Sequence, residues 1–327
     1  MREWTMYDEE CTEAAVTIAQ KLRTIQRLSG LNQEKLAQKF GVSFPTLNSW
    51  INGKSIPRKK AQEQIDDLYL DYTGQKVIPP GELAGKKQTI KNKYDSHPNV
   101  LKQIRENPDI HDQFVLSLTY HTNRIEGSTL TEAETGAVLF NNSVLPDKSL
   151  IEHMEVKNHQ AALVYLLNHM SHGPSRLDEE LVLVLHRQLM NGIRPDAGFY
   201  RRHSVRIVGA DIPTANYVKI PQLMAELVED MNILPGDVIS HIAGIHSRFE
   251  QIHPFSDGNG RIGRLLIHAM AFRKNLPPAI IRQEKKRFYY SYLNKAQQSG
   301  DLSLLEDFLC DALLEGFRIL ERMGGET

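Results

Sequence analysis

The sequence predicts a mainly helical protein in two parts, a small helical domain followed by a large all-α domain that contains one β-hairpin. Apolar residues recur at helical spacing through most of the chain, and a β-branched run interrupts this pattern once. Short amphipathic segments with their own charge pattern stand near the beginning. We expect the small domain at 1–72, a linker at 73–93 and the large domain at 94–327.

The composition is ordinary for a globular protein. The chain has 41% hydrophobic residues and a net charge of −1, which excludes a polycation that coats nucleic acid along its whole length. Two cysteines, Cys11 and Cys310, are too few and too far apart for a disulfide framework or a cysteine metal site. We see no targeting segment, and apolar runs such as LVLVL at 181–185 are too short to cross a bilayer, so we expect a cytoplasmic protein without membrane contact.

Three helices are predicted early in the small domain. The segment at 14–28, AAVTIAQKLRTIQRL, has apolar residues at helical spacing. A short helix opened by Asn32 and closed by Gly41 follows it, and a third helix begins after Ser43, a good N-terminal cap, and ends at Gly53. Two short helices joined by a tight glycine-containing turn indicate a helix-turn-helix.

The charge of 21–60 supports this interpretation. Its only acidic residue is Glu34, against nine basic residues, which gives a charge of +8. Such a patch suits phosphate neutralisation. The segment resembles the Cro/repressor-like helix-turn-helix family, which implies that DNA is a partner. The residues that would face the major groove are Ser43, Phe44, Thr46, Asn48 and Ser49. The alternative is a helical domain used for dimerisation or docking.

The large domain reads as a series of helices with one exception. Apolar stripes at helical spacing occupy 112–122, 149–170, 179–191, 221–232, 237–252, 261–275 and 302–322. The exception is SVRIVGADIPTA at 204–215, where a β-branched run, a glycine and a proline predict a short hairpin.

The segment HPFSDGNGRIGR lies between two of these helices. Gly258, Asn259 and Gly260 let the backbone turn so that successive N–H groups point one way, next to the N-terminus of a helix. These features predict an anion cradle suited to phosphate. Arg261 and Arg264 are three residues apart on the first helical turn, so both can bind further phosphate oxygens.

Two more residues of this segment suit phosphate-transfer chemistry. Asp257 is a carboxylate that can hold a Mg²⁺ ion shared with the phosphates. His253 has the side chain that most often serves as a general base near neutral pH. Base, metal ligand, anion cradle and two cations together predict a site for phosphate transfer.

The spacing resembles the signature of the Fic family, His-x-Phe-x-Asp-Gly-Asn-Gly-Arg-x-x-Arg. Members of that family transfer AMP from ATP to a protein hydroxyl. The resemblance implies that His253 deprotonates the hydroxyl and that Asp257 holds Mg²⁺ on the α- and β-phosphates. It implies that the glycine-rich backbone binds phosphate oxygens and that Arg261 and Arg264 hold the outer phosphates. Phe255 is expected to anchor the loop in the core.

The resemblance extends over roughly 95–310 and gives the hairpin a role. In Fic proteins a hairpin flap aligns the target protein by strand addition. Flap residues that would border the nucleotide are Val208, Gly209, Ala210 and Asp211. Downstream, KRFYYSYLNKAQQSGD resembles the Tyr-Tyr helix of the family. It implies nucleotide contacts from Tyr289, Tyr290 and Gln297, the last of which stands where the family often has asparagine.

A second motif, upstream, resembles the inhibitory helix of the family. The segment YHTNRIEGS at 120–128 fits the pattern [Ser/Thr]-x-x-x-Glu-[Gly/Asn], which implies an inhibitory helix near 115–127, N-terminal to the catalytic core. Glu126 would pair with Arg264 and so remove a clamp for the γ-phosphate. The alternative is a surface glutamate that closes a helix at Gly127.

These features predict an auto-inhibited protein adenylyltransferase that uses ATP and Mg²⁺ to modify Ser, Thr or Tyr of a target protein or of itself. One alternative is removal of AMP, with Glu126 orienting water. Another is a DNA-binding regulator whose Fic part senses nucleotide. A kinase-like reaction, as in the Doc branch, is disfavoured because Gly-Asn-Gly is kept. A homo-oligomer remains open.

Overall fold

The computed structural model describes residues 16–73, 78, 81–171, 176–206, 212–233 and 235–324. The chain divides into two compact units, 1–82 and 83–327. All regular secondary structure within the described residues is helical, in agreement with the predicted mainly helical fold. None of the helices in this part of the chain combines the length and apolar character that spanning a membrane requires.

The first unit contains a four-helix cluster. Its helices are α1 (Ile18–Ser29), α2 (Gln33–Lys39), α3 (Phe44–Ile51) and α4 (Lys59–Thr73). The predicted caps are confirmed: the Asn32 side chain accepts from the Lys35 N–H at 2.9 Å, and the Ser43 hydroxyl accepts from the Thr46 N–H at 3.4 Å. All four helices bury apolar residues in one core, among them Leu22, Leu36, Leu47, Trp50 and Ile65.

The second unit is built around one buried helix. Its helices are α5 (Glu82–Ser96), α6 (Val100–Glu106), α7 (Pro108–Glu126), α8 (Glu132–Asn141), α9 (Leu150–Ser171), α10 (Glu179–Leu189), α11 (Ile220–Met231), α12 (Val238–Ile252), α13 (Asn259–Arg273), α14 (Lys286–Ser299) and α15 (Ser303–Gly324). Helix α13 is buried along most of its length and packs against α7, α9, α10 and α12. These neighbours therefore fix the position of its N-terminal turn.

The predicted linker differs from the structure. Residues 82–93 of the segment 73–93 belong to α5, which buries a single apolar side chain, Ile90. Ion pairs hold the helix instead: Lys86 pairs with Asp307 at 2.7 Å. A lysine-rich sequence without an apolar stripe has no helical periodicity, so the local pattern did not predict this helix. Its ion-pair partners are distant in the sequence and leave no local signal.

The predicted hairpin is not seen, because the described parts of 204–215 form no strand. Its two arms are joined through a side chain, since the Thr214 hydroxyl donates to the Val205 carbonyl at 2.8 Å. The Ala215 N–H donates to the Gln251 carbonyl of α12, and proline at 213 has no N–H to offer. The Ala215 N–H thus bonds outside the two arms, and a β-branched run alone did not produce strand pairing in the described residues.

Candidate active site

The turn that ends α12 presents His253. This residue has φ 51° and ψ 62°, the left-handed conformation that residues other than glycine rarely adopt. Its N–H donates to the Phe249 carbonyl at 2.9 Å and closes the helix. The turn directs the chain out of α12 and into the segment 254–258.

The imidazole of His253 is arranged to accept a proton. Its Nδ1 lies 3.3 Å from the Glu250 carbonyl, and because a carbonyl only accepts, Nδ1 is the donor and Nε2 is left with a free lone pair. Burial lowers the pKa of His253 below its ordinary value, so the ring is neutral at pH 7. A neutral ring with Nε2 unprotonated is the form that a general base requires.

Phe255 and Asn259 fix the interior of the loop. Phe255 is fully buried and its ring stacks on His186 with a 3.7 Å separation of ring centroids, which confirms its predicted anchoring role. The Asn259 side chain accepts from the Phe255 N–H and donates to the Phe255 carbonyl, both at 2.9 Å. The amide is therefore used within the loop, and only the main chain of Asn259 is available for a nucleotide.

His186 of α10 holds the loop from the other side. Its Nδ1 accepts from the Gly198 N–H at 2.9 Å, so the proton lies on Nε2, which donates to the Asp257 carbonyl at 3.1 Å. Burial lowers the pKa of His186 to about 4, which keeps this neutral tautomer at physiological pH. Nothing in the sequence distinguished His186 from the other histidines.

Asp257 and Gly258 face the opening of the site. The Asp257 carboxylate accepts from the Gly258 N–H at 2.6 Å, and its side chain remains 53% exposed. Gly258 has φ 79°, and a Cβ atom there would lie 2.9 Å from the Met190 sulfur. The position therefore favours glycine for its backbone conformation, and a Cβ atom there would also displace the Met190 side chain.

The two arginines lie at the N-terminus of α13, where the first N–H groups of the helix have no intrahelical partner. Arg261 donates to Glu155 of α9 at 2.8 Å, and Arg264 donates from Nε to the Thr122 hydroxyl of α7 at 2.6 Å. Both are 3% exposed, yet Nε of Arg261 and Nη1 of Arg264 lack a partner. Buried cationic donors without partners are what an anion site requires.

Glu126, the last residue of α7, pairs with Arg264 across 138 positions of sequence, at 2.5 Å. A Cβ atom on Gly260 would lie 2.5 Å from the Glu126 carboxylate, so this carboxylate lies against the first turn of α13. Burial opposes its ionisation, but the Arg264 charge and hydrogen bond outweigh burial and hold the pKa of Glu126 below its usual range. Glu126 is thus an anion that lies at the N-terminus of α13, where the helix carries partial positive charge.

The three residues predicted from α14 have different surroundings. Tyr289 is buried and its hydroxyl lies 2.6 Å from Nε2 of His246, so it is a core residue. The Gln297 amide donates to the Ser247 carbonyl and joins α14 to α12. Tyr290 is 40% exposed, and burial and then the negative charge of Glu126 raise its pKa to about 12. Only Tyr290 is thus both accessible and close to the Glu126–Arg264 pair.

The remaining predicted residues lie elsewhere. The flap residues Val208, Gly209, Ala210 and Asp211 lie outside the described residues. The predicted DNA-contacting residues belong to α3 and its cap. Within the first unit they are exposed or half-buried: Ser43, Phe44, Thr46, Asn48 and Ser49.

Sequence reasoning missed several supporting residues of the site. Thr122 is the first residue of the inhibitory motif, and the motif does not indicate that its hydroxyl and carbonyl both bond Arg264. Glu155 and Met190 were missed, because contacts between distant helices leave no local spacing to detect.

Two family models match the chain. Residues 176–271 match the Fic/DOC family, and residues 21–61 match a helix-turn-helix family. The first match includes the whole loop from His253 to Arg264, and the second lies within the first unit.

Several curated relatives are named protein adenylyltransferases. That of Nematostella vectensis, protein adenylyltransferase Fic, is 32% identical over 259 residues, which are 76% of this chain and 54% of the relative. Protein adenylyltransferase fic-1 of Caenorhabditis briggsae is 36% identical over 189 residues, 56% of this chain and 36% of the relative. The chain thus spans about half the length of the first relative and less of the second.

Solved structures share the fold. A Fic-domain-containing signaling protein from Bacteroides thetaiotaomicron superposes with a TM-score of 0.64 at 25% identity, covering 74% of this chain and 99% of that one. Fic-1 (residues 134–508) from C. elegans superposes with a TM-score of 0.66 at 22% identity, and the match covers 94% of this chain and 98% of that one. These likenesses show that the chain shares the fold of solved Fic proteins, that residues 176–271 resemble the Fic/DOC family and that residues 21–61 resemble a helix-turn-helix family.

Proposed function

We propose that the second unit is an auto-inhibited protein adenylyltransferase, which transfers AMP from ATP to a hydroxyl of a target protein or of its own chain. The observation that carries this proposal is the arrangement at α13. A neutral His253, an exposed Asp257 carboxylate and two buried arginines with spare donors surround the N-terminus of one helix. Because the proposed substrate ATP is intracellular, we propose a cytoplasmic site of action.

The residues of the loop suit a nucleotide polyphosphate. In the proposed complex the N–H groups at the start of α13 bind phosphate oxygens, and the spare donors of Arg261 and Arg264 bind further oxygens. The half-exposed Asp257 carboxylate is the ligand type that Mg²⁺ takes beside substrate phosphates. When bound, Mg²⁺ would neutralise phosphate charge. Tyr290 borders the same region and is our candidate for a base contact.

In the proposed reaction Nε2 of His253 takes the proton of the target hydroxyl. The hydroxyl oxygen then forms a bond to the α-phosphorus of ATP, and the bond from that phosphorus to the bridging oxygen breaks. Pyrophosphate leaves with the bonding electrons, and AMP stays on the protein. The left-handed turn at His253 would set the position of the base relative to the phosphate cradle.

Glu126 supplies the proposed inhibition. As an anion against the first turn of α13 it occupies the electrostatic position that a phosphate would take, and it engages Arg264. Release of Glu126 would free both the helix N-terminus and the arginine. An alternative role of the same carboxylate is to orient water for the removal of AMP.

The test uses ATP labelled at the α- or the γ-phosphate with Mg²⁺. We expect Glu126→Gly to raise self-labelling from α-labelled ATP by roughly thirtyfold, the equivalent of about 2 kcal/mol, with no label retained from γ-labelled ATP. His253→Ala should abolish labelling, and Glu132→Gly, at an exposed glutamate of α8, should match the wild type. Retention of the γ-label would instead mean phosphate transfer, and equal labelling in all variants would refute the mechanism.

A second function, DNA binding by the first unit, is favoured by the helix-turn-helix match at 21–61 and by the accessible face of α3. The test is selection from a pool of random duplexes, repeated with Asn48→Ala/Ser49→Ala. We expect the wild type to enrich one sequence and the variant to lose it. Affinity for that sequence should fall as salt rises. Failure to enrich any sequence would favour a docking role.

A further inference from the structure

Arg201 occupies an unusual position between α10 and α11. It is 2% exposed, and its guanidinium donates to four main-chain carbonyls. The acceptors are His253 at 2.7 Å, Ile252 at 3.3 Å, His203 at 2.7 Å and Ala215 at 2.6 Å. One buried cation therefore connects the end of α12 to two other points of the chain.

Two of these carbonyls need an external donor. Ile252 and His253 end α12, where the last carbonyls of a helix have no intrahelical partner and carry partial negative charge. Arg201 supplies both N–H groups and positive charge at this end. Its own main-chain N–H donates to the Pro254 carbonyl at 2.9 Å, so it bonds the turn on both sides of His253.

The turn needs this support because of its conformation. A left-handed residue other than glycine costs on the order of 1–3 kcal/mol and persists only where its surroundings enforce it. His253 has φ 51°, and its carbonyl accepts the 2.7 Å bond from Nε of Arg201. Without that bond the turn would relax, and the imidazole would move with it.

The other two carbonyls lie on the flanks of the segment 203–215. His203 and Ala215 bond different nitrogens of the same guanidinium. The Ala215 N–H also bonds the Gln251 carbonyl of α12. A movement of either flank would therefore change the bonds that Arg201 makes to the His253 turn.

The charge of Arg201 also acts on His253. Among the described residues no carboxylate forms an ion pair with it, and burial lowers its pKa. After burial itself, this nearby positive charge is one of the influences that lower the pKa of His253. Arg201 thus affects both the position of the imidazole and its protonation.

We propose that Arg201 is the positioning residue of His253, holding the turn 252–254 in the conformation that presents the imidazole and fastening both flanks of 203–215 to that turn. The inference rests on the proposed function only where His253 is treated as the base.

The test compares Arg201→Lys and Arg201→Met in the Glu126→Gly background, with Arg202→Lys and Arg202→Met as controls at the exposed neighbouring residue. Lysine keeps the charge but cannot reach four carbonyls. We expect both Arg201 variants to lower kcat by roughly a hundredfold, the effect of a misplaced catalytic group, with the KM for ATP unchanged. In Arg201→Met alone the acid limb of the pH–rate profile should move to higher pH.

An NMR titration without nucleotide tests this inference independently of the proposed function. The imidazole resonance of His253, identified by its absence in His253→Ala, is titrated by NMR. Arg201→Met should raise its pKa, and Arg201→Lys should shift the resonance while leaving the pKa closer to that of the wild type. If Arg201→Met does not fold, as judged by thermal melting, Arg201→Lys carries the test.

Unchanged resonance and pKa in the Arg201 variants, matching those of the Arg202 variants, would overturn the inference. Unchanged kcat in an active Glu126→Gly background would overturn it as well. Absence of AMP transfer in the Glu126→Gly parent would refute the proposed function, and the NMR titration would still decide the positioning role.

Discussion

Replacing Glu126 by alanine tests whether the inhibitory contact also stabilises the fold. Breaking a fully buried ion pair costs about 3–5 kcal/mol. The cost is smaller here because the Glu126 side chain is 28% exposed and Arg264 keeps its bond to the Thr122 hydroxyl. A hydrogen bond to a charged group is worth about 1.5–3 kcal/mol. We therefore expect Glu126→Ala to lower the free energy of unfolding by about 2 kcal/mol.

Two measurements check this value. The nucleotide-free variant should unfold at a lower temperature than the wild type, with Tm lower by roughly 4–8 °C for a unit of this size. Titration calorimetry should show ATP binding about thirtyfold more tightly to the variant, because ATP no longer has to displace the glutamate. The control is Glu132→Ala on the exposed face of α8.

A Glu126→Ala variant that is as stable as the control and binds ATP no more tightly than the wild type would contradict both expected effects. That pair of results would mean that the 2.5 Å contact with Arg264 contributes nothing to the closed state. Lower stability with unchanged ATP affinity would contradict the inhibitory role alone.

Two further predictions concern the surroundings of this contact. Gly260→Ala would place a methyl group 2.5 Å from the Glu126 carboxylate, so it should destabilise the wild type more than it destabilises Glu126→Ala. Additive losses in a double-mutant cycle would contradict this coupling. Burial raises the pKa of Glu250 to about 8, so the folded protein holds this proton more tightly than the unfolded chain does. The resulting contribution to the free energy of unfolding is complete below about pH 4.5 and declines as pH rises to about 8. Glu250→Gln should remove this decline in urea unfolding measured between those values, and an unchanged pH dependence would show that Glu250 is not the responsible group.

Local chemistry determined the parts of the structure that the sequence predicted well. The caps at Asn32 and Ser43 depend only on residues three positions away, so they are visible in the sequence. The buried Phe255 follows from an apolar residue inside a polar loop. The Glu126–Arg264 pair spans 138 positions, and only the resemblance to a known motif connected its two members.

Tertiary contacts determined the parts that the sequence did not predict. Helix α5 is held by lysines whose acidic partners include Asp307 of α15. Ala215, in the described part of 204–215, accepts from Arg201 through its carbonyl and donates through its N–H to the Gln251 carbonyl of α12. Tyr289 and Gln297 bond residues of α12, and such contacts between helices leave no signal in the local pattern of α14.

The most direct test of AMP transfer is the intact mass of the Glu126→Gly protein after incubation with ATP and Mg²⁺, beside the Glu126→Gly/His253→Ala protein treated in the same way. We expect a population of the first protein to be heavier by one AMP, and no such population of the second. An AMP adduct in both proteins would contradict the role of His253, and a phosphate adduct or no adduct in the first would contradict AMP transfer itself.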